Sequence, residues 1–410
     1  MPWTPPPAPA WVDRLNAHGP AAGGAEHLVS LDADDIVGAA QASTGLTDFG
    51  GDSWRPHFEV LLEALRTEAH LTLAGRLVAR TELLRALRQR LLLAAAWAAD
   101  PSILDEEIVE PIFVVGTGRS GTSILHELLA LDPTSRTPAT WELLHPGEAL
   151  GPATEEARRL GHDVHVFWAD LQPAYESMHH NDGDEPNECI FATMLEFLSD
   201  QWGGTYEVPT YSAYLVAADQ TEAYRYHRKV LQTLQRRRRG DRWVLKAPSH
   251  LSQLRTLFGV YPDARVVQIH RDPLKSVPST ISLMGTLRSM RCESVDVDTL
   301  VPWVSLGYAL MLDDTVAARD SRELPDDRFV DVRYADLMAD PSGAVGRIYD
   351  ELGLSYGDDL RAAVRDYVAD RPKDAFGAHR YSLADTGLDP AEERGRFGSY
   401  QRRYDVPDEV

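Results

Sequence analysis

The chain has 410 residues, 43% of them hydrophobic, enough for the core of one large domain or two. Its 63 acidic and 41 basic residues leave a net charge of −22, which argues against a nucleic-acid partner, since gripping a phosphate backbone takes a surplus of Lys and Arg. Two cysteines, Cys189 and Cys292, in dissimilar surroundings and without metal-ligand spacing, argue against a disulfide framework and point to a reducing, cytoplasmic setting.

The start, Met-Pro-Trp-Thr-Pro-Pro-Pro-Ala-Pro-Ala, lacks the basic and apolar regions of a secretory signal. The longest apolar run, Leu91 to Ala99, is too short to span a bilayer, so no membrane span is expected. Residues 1 to about 25 are rich in Pro, Ala and Gly and are expected to be poorly ordered. Asp32 to Ala40 reads as a short, aspartate-capped helix. From Trp54 the apolar residues Phe58, Leu61, Leu62 and Leu65, then Leu71 to Val78, recur at helical spacing, and Thr81 to Ala99 continues as a helix. This makes 1–107 an N-terminal helical region packed on the core.

Pro111 to Val115 is a short apolar run with the character of a buried strand, and it stops at the glycine-rich turn Gly116 to Gly121. The turn opens a helix carrying Ile124, Leu125, Leu128 and Leu129. Three glycines let the backbone turn its N–H groups toward one point, and the helix N-terminus adds about half a positive charge there, so the loop is expected to hold phosphate or sulfate. Further on, 152–178, 187–197 and 220–238 read as helices, with the polar turn 181–186 between the first two. The arginine run 236–239 reads as a solvated helix end. Strand then alternates with helix: strands at 242–246, 265–269 and 328–332, helices at 250–261, 273–290, 297–320 and 342–352. Such alternation implies an α/β fold with a parallel sheet and ligands at the carboxyl ends of the strands.

Gly116, Gly118 and Gly121 formally spell the dinucleotide fingerprint, but the segment before Glu142, where an acidic residue has the right distance, is too polar to be the second strand. The loop is also one residue from a Walker loop, with Thr122 where the lysine belongs. It keeps the phosphate cradle with Arg119 as its cation, which suits an anion with less charge at the transferring end.

Val115-Gly116-Thr117-Gly118-Arg119-Ser120-Gly121-Thr122-Ser123 resembles the 5′-phosphosulfate loop of sulfotransferases that use 3′-phosphoadenosine 5′-phosphosulfate (PAPS), in the form of the bacterial and tyrosylprotein-type branch, with Gly118 where that pattern usually has Pro. Val266 to Ser279 resembles the family's 3′-phosphate motif, in which Arg271 ends a strand and Ser279 follows eight positions later. A strand-terminal guanidinium grips phosphate bidentately. Pro278 is expected to kink or delay that helix. Val244-Leu245-Lys246-Ala247-Pro248 resembles the strand-end K-x-P segment, and Arg333-Tyr334-Ala335-Asp336-Leu337 the R-Y-x-D-L segment whose Tyr lies near adenine.

The resemblance covers about 108–355 and implies a P-loop-like core there, parallel sheet flanked by helices, with 356–410 a C-terminal helical extension and tail. It implies PAPS as sulfuryl donor, bound by Gly118, Arg119, Ser120, Gly121, Thr122, Ser123, Arg271, Ser279 and Tyr334, with no metal required. Because the loose in-line transition state asks mainly for positioning and charge stabilisation, Arg119 and Lys246 are expected to act on the transferring end. The acceptor needs a base. Glu142 is the first candidate, followed by His145 and His250, then His180, Asp184 and Glu185. The acceptor reads as a hydroxyl, or failing that an amine, of a small molecule, lipid or glycoside. A P-loop kinase or related NTPase, and a non-catalytic adenine-nucleotide module, are the competing readings, separable by nucleotide preference and by transfer.

Overall fold

The structure is a computed structural model and describes residues 3–151, 153–179, 181–371 and 377–410. Five short strands form one sheet: β1 Ile112–Val115, β2 Ser135–Arg136, β3 Arg242–Lys246, β4 Arg265–His270 and β5 Phe329–Arg333. Their order is β2-β3-β1-β4-β5, and every pairing is parallel. Val114 stands beside Lys246, Val115 beside Gln268 and His270 beside Arg333, so the carboxyl ends finish almost level.

Alternate residues of each strand serve opposite faces. Phe113, Val115, Leu245 and Val266 join one apolar cluster, while Ile112, Val114, Val244, Val267 and Ile269 join another. Burial on both faces explains why the strands read as continuous apolar runs. The second cluster is closed by helices Thr122–Leu129, Pro341–Leu352 and Asp358–Asp370. The first extends far into the N-terminal helices: Trp54, Phe58, Leu83, Leu87 and Leu91 belong to it together with Phe113 and Leu245. Helix Leu73–Ala99, started by the Thr72 hydroxyl accepting from Gly75 N–H, also carries charge inward. Arg90 is fully buried and pairs with Glu196 at 2.6 Å, and Glu82 accepts from the Tyr206 hydroxyl at 2.7 Å. Breaking such a buried pair leaves an uncompensated charge and costs about 3–5 kcal/mol.

Most expected elements are present: helices Ala33–Thr44, Trp54–Thr67, Thr221–Arg237 and Val297–Asp320 lie where periodicity put them. Several expectations are corrected. The segment before Glu142, read as too polar for a strand, carries β2, whose two residues pair with Arg242 and Trp243 at the edge of the sheet, where an apolar run is not required. The Pro-rich start is packed from Trp3 onward, whose indole covers Gly285 and donates to the Ser282 hydroxyl at 3.2 Å. The stretch 187–197 is not one helix: Ile190–Thr193 gives way to a 3-10 turn, and Phe197 takes a left-handed conformation to insert its ring between Trp54 and Phe58. Pro278 does not delay its helix, which runs through it from Pro273 to Ser289 with Asp272 as its N-cap. The arginine run is not simply solvated. Arg239 and Arg236 hold the buried Glu106, and Arg237 lies over Trp141. Both cysteines are buried and free. Among the described residues, no helix is long and apolar enough to cross a membrane.

Candidate active site

Four of the five strands end in residues singled out from the sequence. The glycine loop follows β1, Lys246 is the last residue of β3, Arg271 follows β4, and Tyr334 follows β5. In the loop, Gly121 has φ +100, and a Cβ there would come within 2.6 Å of the Tyr334 ring, so only glycine lets loop and tyrosine meet. A Cβ at Gly118 would lie 2.5 Å from the Tyr308 hydroxyl, which itself donates to the Gly118 carbonyl at 3.3 Å. That close approach accounts for glycine at the position where the resembled motif has proline. Arg119 adopts φ +66, a conformation uncommon outside glycine.

Arg119, Arg271 and Ser279 converge. Arg119 Nε donates to the Ser279 hydroxyl at 3.1 Å, and Arg271 Nη1 donates to the Arg119 carbonyl at 2.9 Å. The Arg271 guanidinium lies 3.9 Å from the centre of the Tyr334 ring. Burial lowers the proton affinity of Arg119; the hydroxyls of Tyr381 and Tyr308 oppose the shift, while Arg271 reinforces it. Two half-buried cations facing one space are a receptor for an anion. Ser120 is turned away: its hydroxyl and N–H both donate to the Thr117 carbonyl, at 2.7 and 3.2 Å, so it closes the loop from behind.

Lys246 Nζ donates to the Ser123 hydroxyl at 3.1 Å and pairs with Glu188 at 2.6 Å. Behind them His126 contacts the Val244 carbonyl through Nε2, and burial, with Lys246 adding repulsion, pulls its imidazole down to about 3. Glu188 was not singled out from the sequence. Its segment is tied to the end of β3 by the Cys189 N–H, which donates to the Lys246 carbonyl at 2.8 Å. A polar Asn-Glu step ahead of an apolar run is the only local signal, and nothing in it names a partner 58 residues away.

The structure does not bring Glu142 to this group. Its carboxylate is buried, accepts from Arg136 Nη2 at 2.6 Å and from the Ala139 N–H at 2.9 Å, and so caps a short helix and neutralises a buried arginine. His145 packs by Glu148, with burial, then Arg85 and Arg88, lowering it to about 3. His250 is buried against Phe113 and contacts the Tyr224 hydroxyl at 2.6 Å. Asp184 pairs with Arg158 and Glu185 with Arg371. His180 lies outside the described residues.

A cavity of about 360 Å³ is lined by Gly118, Arg119, Ser123, Glu188, Arg271 and Tyr334, with Trp168, Tyr175, Phe191, Leu283 and Leu287 on its apolar side. Gly118, Pro248 and Thr280 also line a second, more apolar groove of about 280 Å³ that runs past Leu215, Met284, Trp303 and Met311. A larger cleft, about 570 Å³, lies at the amino ends of β1 and β3 between Glu106 and the arginine run. It is at the wrong end of the strands for a ligand of an open α/β sheet, and its cations are spent on Glu106.

Comparison with known proteins agrees with this geometry. Residues 111–358 match the model of a sulfotransferase family. Over 273 residues the chain is 31% identical to omega-hydroxy-beta-dihydromenaquinone-9 sulfotransferase Stf3 of Mycobacterium bovis, spanning 63% of this chain and 67% of that protein. The crystal structure of sulfotransferase STF1 from Mycobacterium tuberculosis superposes with a TM-score of 0.77 at 32% identity, covering 90% of this chain and 98% of that one. Sulfotransferase STF9 from Mycobacterium avium superposes at 0.80 with 27% identity, covering 92% and 97%. With its parallel sheet, its glycine loop and its paired arginines, this chain belongs to the sulfotransferase family and is a sulfuryl-transferring enzyme.

Proposed function

We propose that the enzyme takes its sulfuryl group from PAPS and delivers it to the hydroxyl of an apolar, lipid-like acceptor. The observation that carries the donor is the convergence of Arg119 and Arg271, from two strand ends, on one cavity with Tyr334 beside them. In this reading the loop from Gly118 to Ser123, with Arg119, holds the 5′-phosphosulfate. Ser120 contributes by shaping the loop. Arg271 and Ser279 hold the 3′-phosphate, and Tyr334 flanks the adenosine. The residues fit: Gly121 lets the loop close against the Tyr334 ring, and the Arg271 fork already donates to a carboxylate in the bidentate manner suited to phosphate.

Glu188 is the base in this reading, in place of Glu142. Lining the cavity and in contact with Lys246, it can accept the acceptor's proton as the acceptor oxygen bonds to sulfur and the bond from sulfur to the 5′-phosphate oxygen breaks. Lys246 then stabilises charge gathering on the departing phosphate. The acceptor class is supported by the apolar groove that opens from the same loop, and by the relative named for an omega-hydroxylated dihydromenaquinone.

Calorimetry with adenosine 3′,5′-bisphosphate, 5′-AMP, ATP and NAD tests the donor. The bisphosphate is expected to bind tightest, and Arg271→Ala to weaken it about 10–100-fold, as loss of charged hydrogen bonds predicts, with 5′-AMP little changed. Preference for ATP would overturn the donor. Transfer of labelled sulfate to omega-hydroxylated polyprenyl compounds in preference to sugars tests the acceptor.

A further inference from the structure

The guanidinium assigned to the 3′-phosphate is already occupied by the chain itself. After helix Pro390–Tyr404, Asp405 turns the backbone with φ +51, and residues 406–410 cross the end of β4. Glu409 there receives Arg271 Nε on Oε1 at 3.0 Å and Nη2 on Oε2 at 3.0 Å, a bidentate grip of the kind a phosphate takes. The strap has anchors of its own. The Glu409 N–H donates to Asp272 at 2.7 Å, Arg394 bridges Asp272 at 2.7 and 2.8 Å and reaches Asp408 at 3.0 Å, and the Val406 N–H donates to the Gln401 carbonyl at 2.9 Å. Backbone and Arg394 therefore hold the strap in place whether or not the Glu409 carboxylate bonds Arg271.

We infer that Glu409 is a built-in competitor of the nucleotide's 3′-phosphate, released from Arg271 when the bisphosphate nucleotide enters. The inference rests on the donor reading above. A carboxylate carries one negative charge, whereas a phosphate monoester carries about −1.5 to −2 at neutral pH, so the nucleotide prevails. It does so at a cost, because apparent affinity falls by the fraction of molecules in which the fork is free. The strap thus weakens every ligand that needs Arg271 and leaves alone those that bind only the glycine loop. It also keeps the cation compensated between turnovers, when Arg271 would otherwise face Arg119 across the cavity with no anion between them.

The test measures the affinities of adenosine 3′,5′-bisphosphate and of 5′-AMP for the wild type and for Glu409→Gln, which keeps the backbone bond to Asp272 and the strap's other anchors. The variant is expected to bind the bisphosphate about tenfold tighter, as a fork free in about one molecule in ten implies, with 5′-AMP unchanged. Unchanged or weaker bisphosphate binding in the variant, with the wild type still preferring bisphosphate to 5′-AMP, overturns the competition and leaves the donor reading standing. A wild type without that preference overturns the donor reading, and the competition falls with it. A variant that tightens both nucleotides equally shows a general charge effect and likewise overturns it.

Discussion

At the scale of single residues, Glu142 and Glu188 have opposite fates, decided by their neighbours. Glu142 is held by Arg136 and Arg237 and by a backbone N–H, so its negative charge is spent on structure. Glu188 shares the cavity with Arg119, Ser123 and Arg271 and touches Lys246. Glu188→Gln is therefore expected to lower kcat by about 10²–10⁴ while bisphosphate affinity changes little, in line with loss of a general base. Glu142→Gln is expected to lower stability by about 1–3 kcal/mol through the weakened charged hydrogen bonds to Arg136, with kcat per folded molecule largely retained. Steady-state kinetics and urea unfolding on the same preparations separate the two. The imidazole of His179 lines the same cavity, so His179→Asn makes the control: if it abolishes turnover and Glu188→Gln does not, the base is reassigned.

At the scale of elements, the site is assembled by short connections at the carboxyl ends of parallel strands. The loop after β1 and the tyrosine after β5 can touch only because residue 121 has no side chain. Gly121→Ala meets both a left-handed φ of +100 and a ring atom 2.6 Å from the new methyl. The backbone conformation alone costs roughly 1–2 kcal/mol for an L-residue. Moving Tyr334 also disturbs the guanidinium stacked on it, so bisphosphate affinity should fall at least about tenfold, more than a shift of that size in fold stability alone predicts. Titration calorimetry alongside a melting curve makes the comparison. Helix Pro273–Ser289 shows why local rules are weak where packing is strong. Pro278 sits inside it and removes one backbone bond, yet the helix continues through it with Leu274, Val277 and Ile281 buried around it.

At the scale of the whole molecule, the N-terminal helices and the sheet share one apolar cluster, so the expected helical layer and core are joined by a common interior. That interior keeps several imidazoles neutral. Burial pulls His227 down to about 3; it does the same for His126, with Lys246 adding to the shift, and for His145, with Arg85 and Arg88 adding to it. In the unfolded chain they titrate near 6.5, so between about pH 6.5 and 3 the unfolded state binds more protons and stability falls as pH falls. Each contributes a slope of up to about 1.4 kcal/mol per pH unit in that window and none above it. Urea midpoints should thus hold steady from pH 8 to 7 and drop from pH 6 to 5, and His227→Gln should flatten the drop whatever it does to the midpoint itself. A drop of equal steepness in the variant would remove His227 from the account.

The amino-acid sequence determined strands β1, β3, β4 and β5, the loop between β1 and its helix, and the family, and it singled out Arg119, Arg271 and Tyr334; the two-residue strand β2 carried no such signal. These are set by neighbours within a few positions: apolar β-branched runs, glycines where a turn needs them, a cation at a strand end. Only the tertiary structure decided that Glu188 rather than Glu142 shares the cavity with the arginines, that the apolar groove draws on helices Pro209–Ala217, Pro273–Ser289 and Val297–Asp320, and that Glu409 lies on Arg271. Each of those outcomes depends on charges or apolar faces far apart in the chain being brought together. What a carboxylate does there is set by the cation that reaches it.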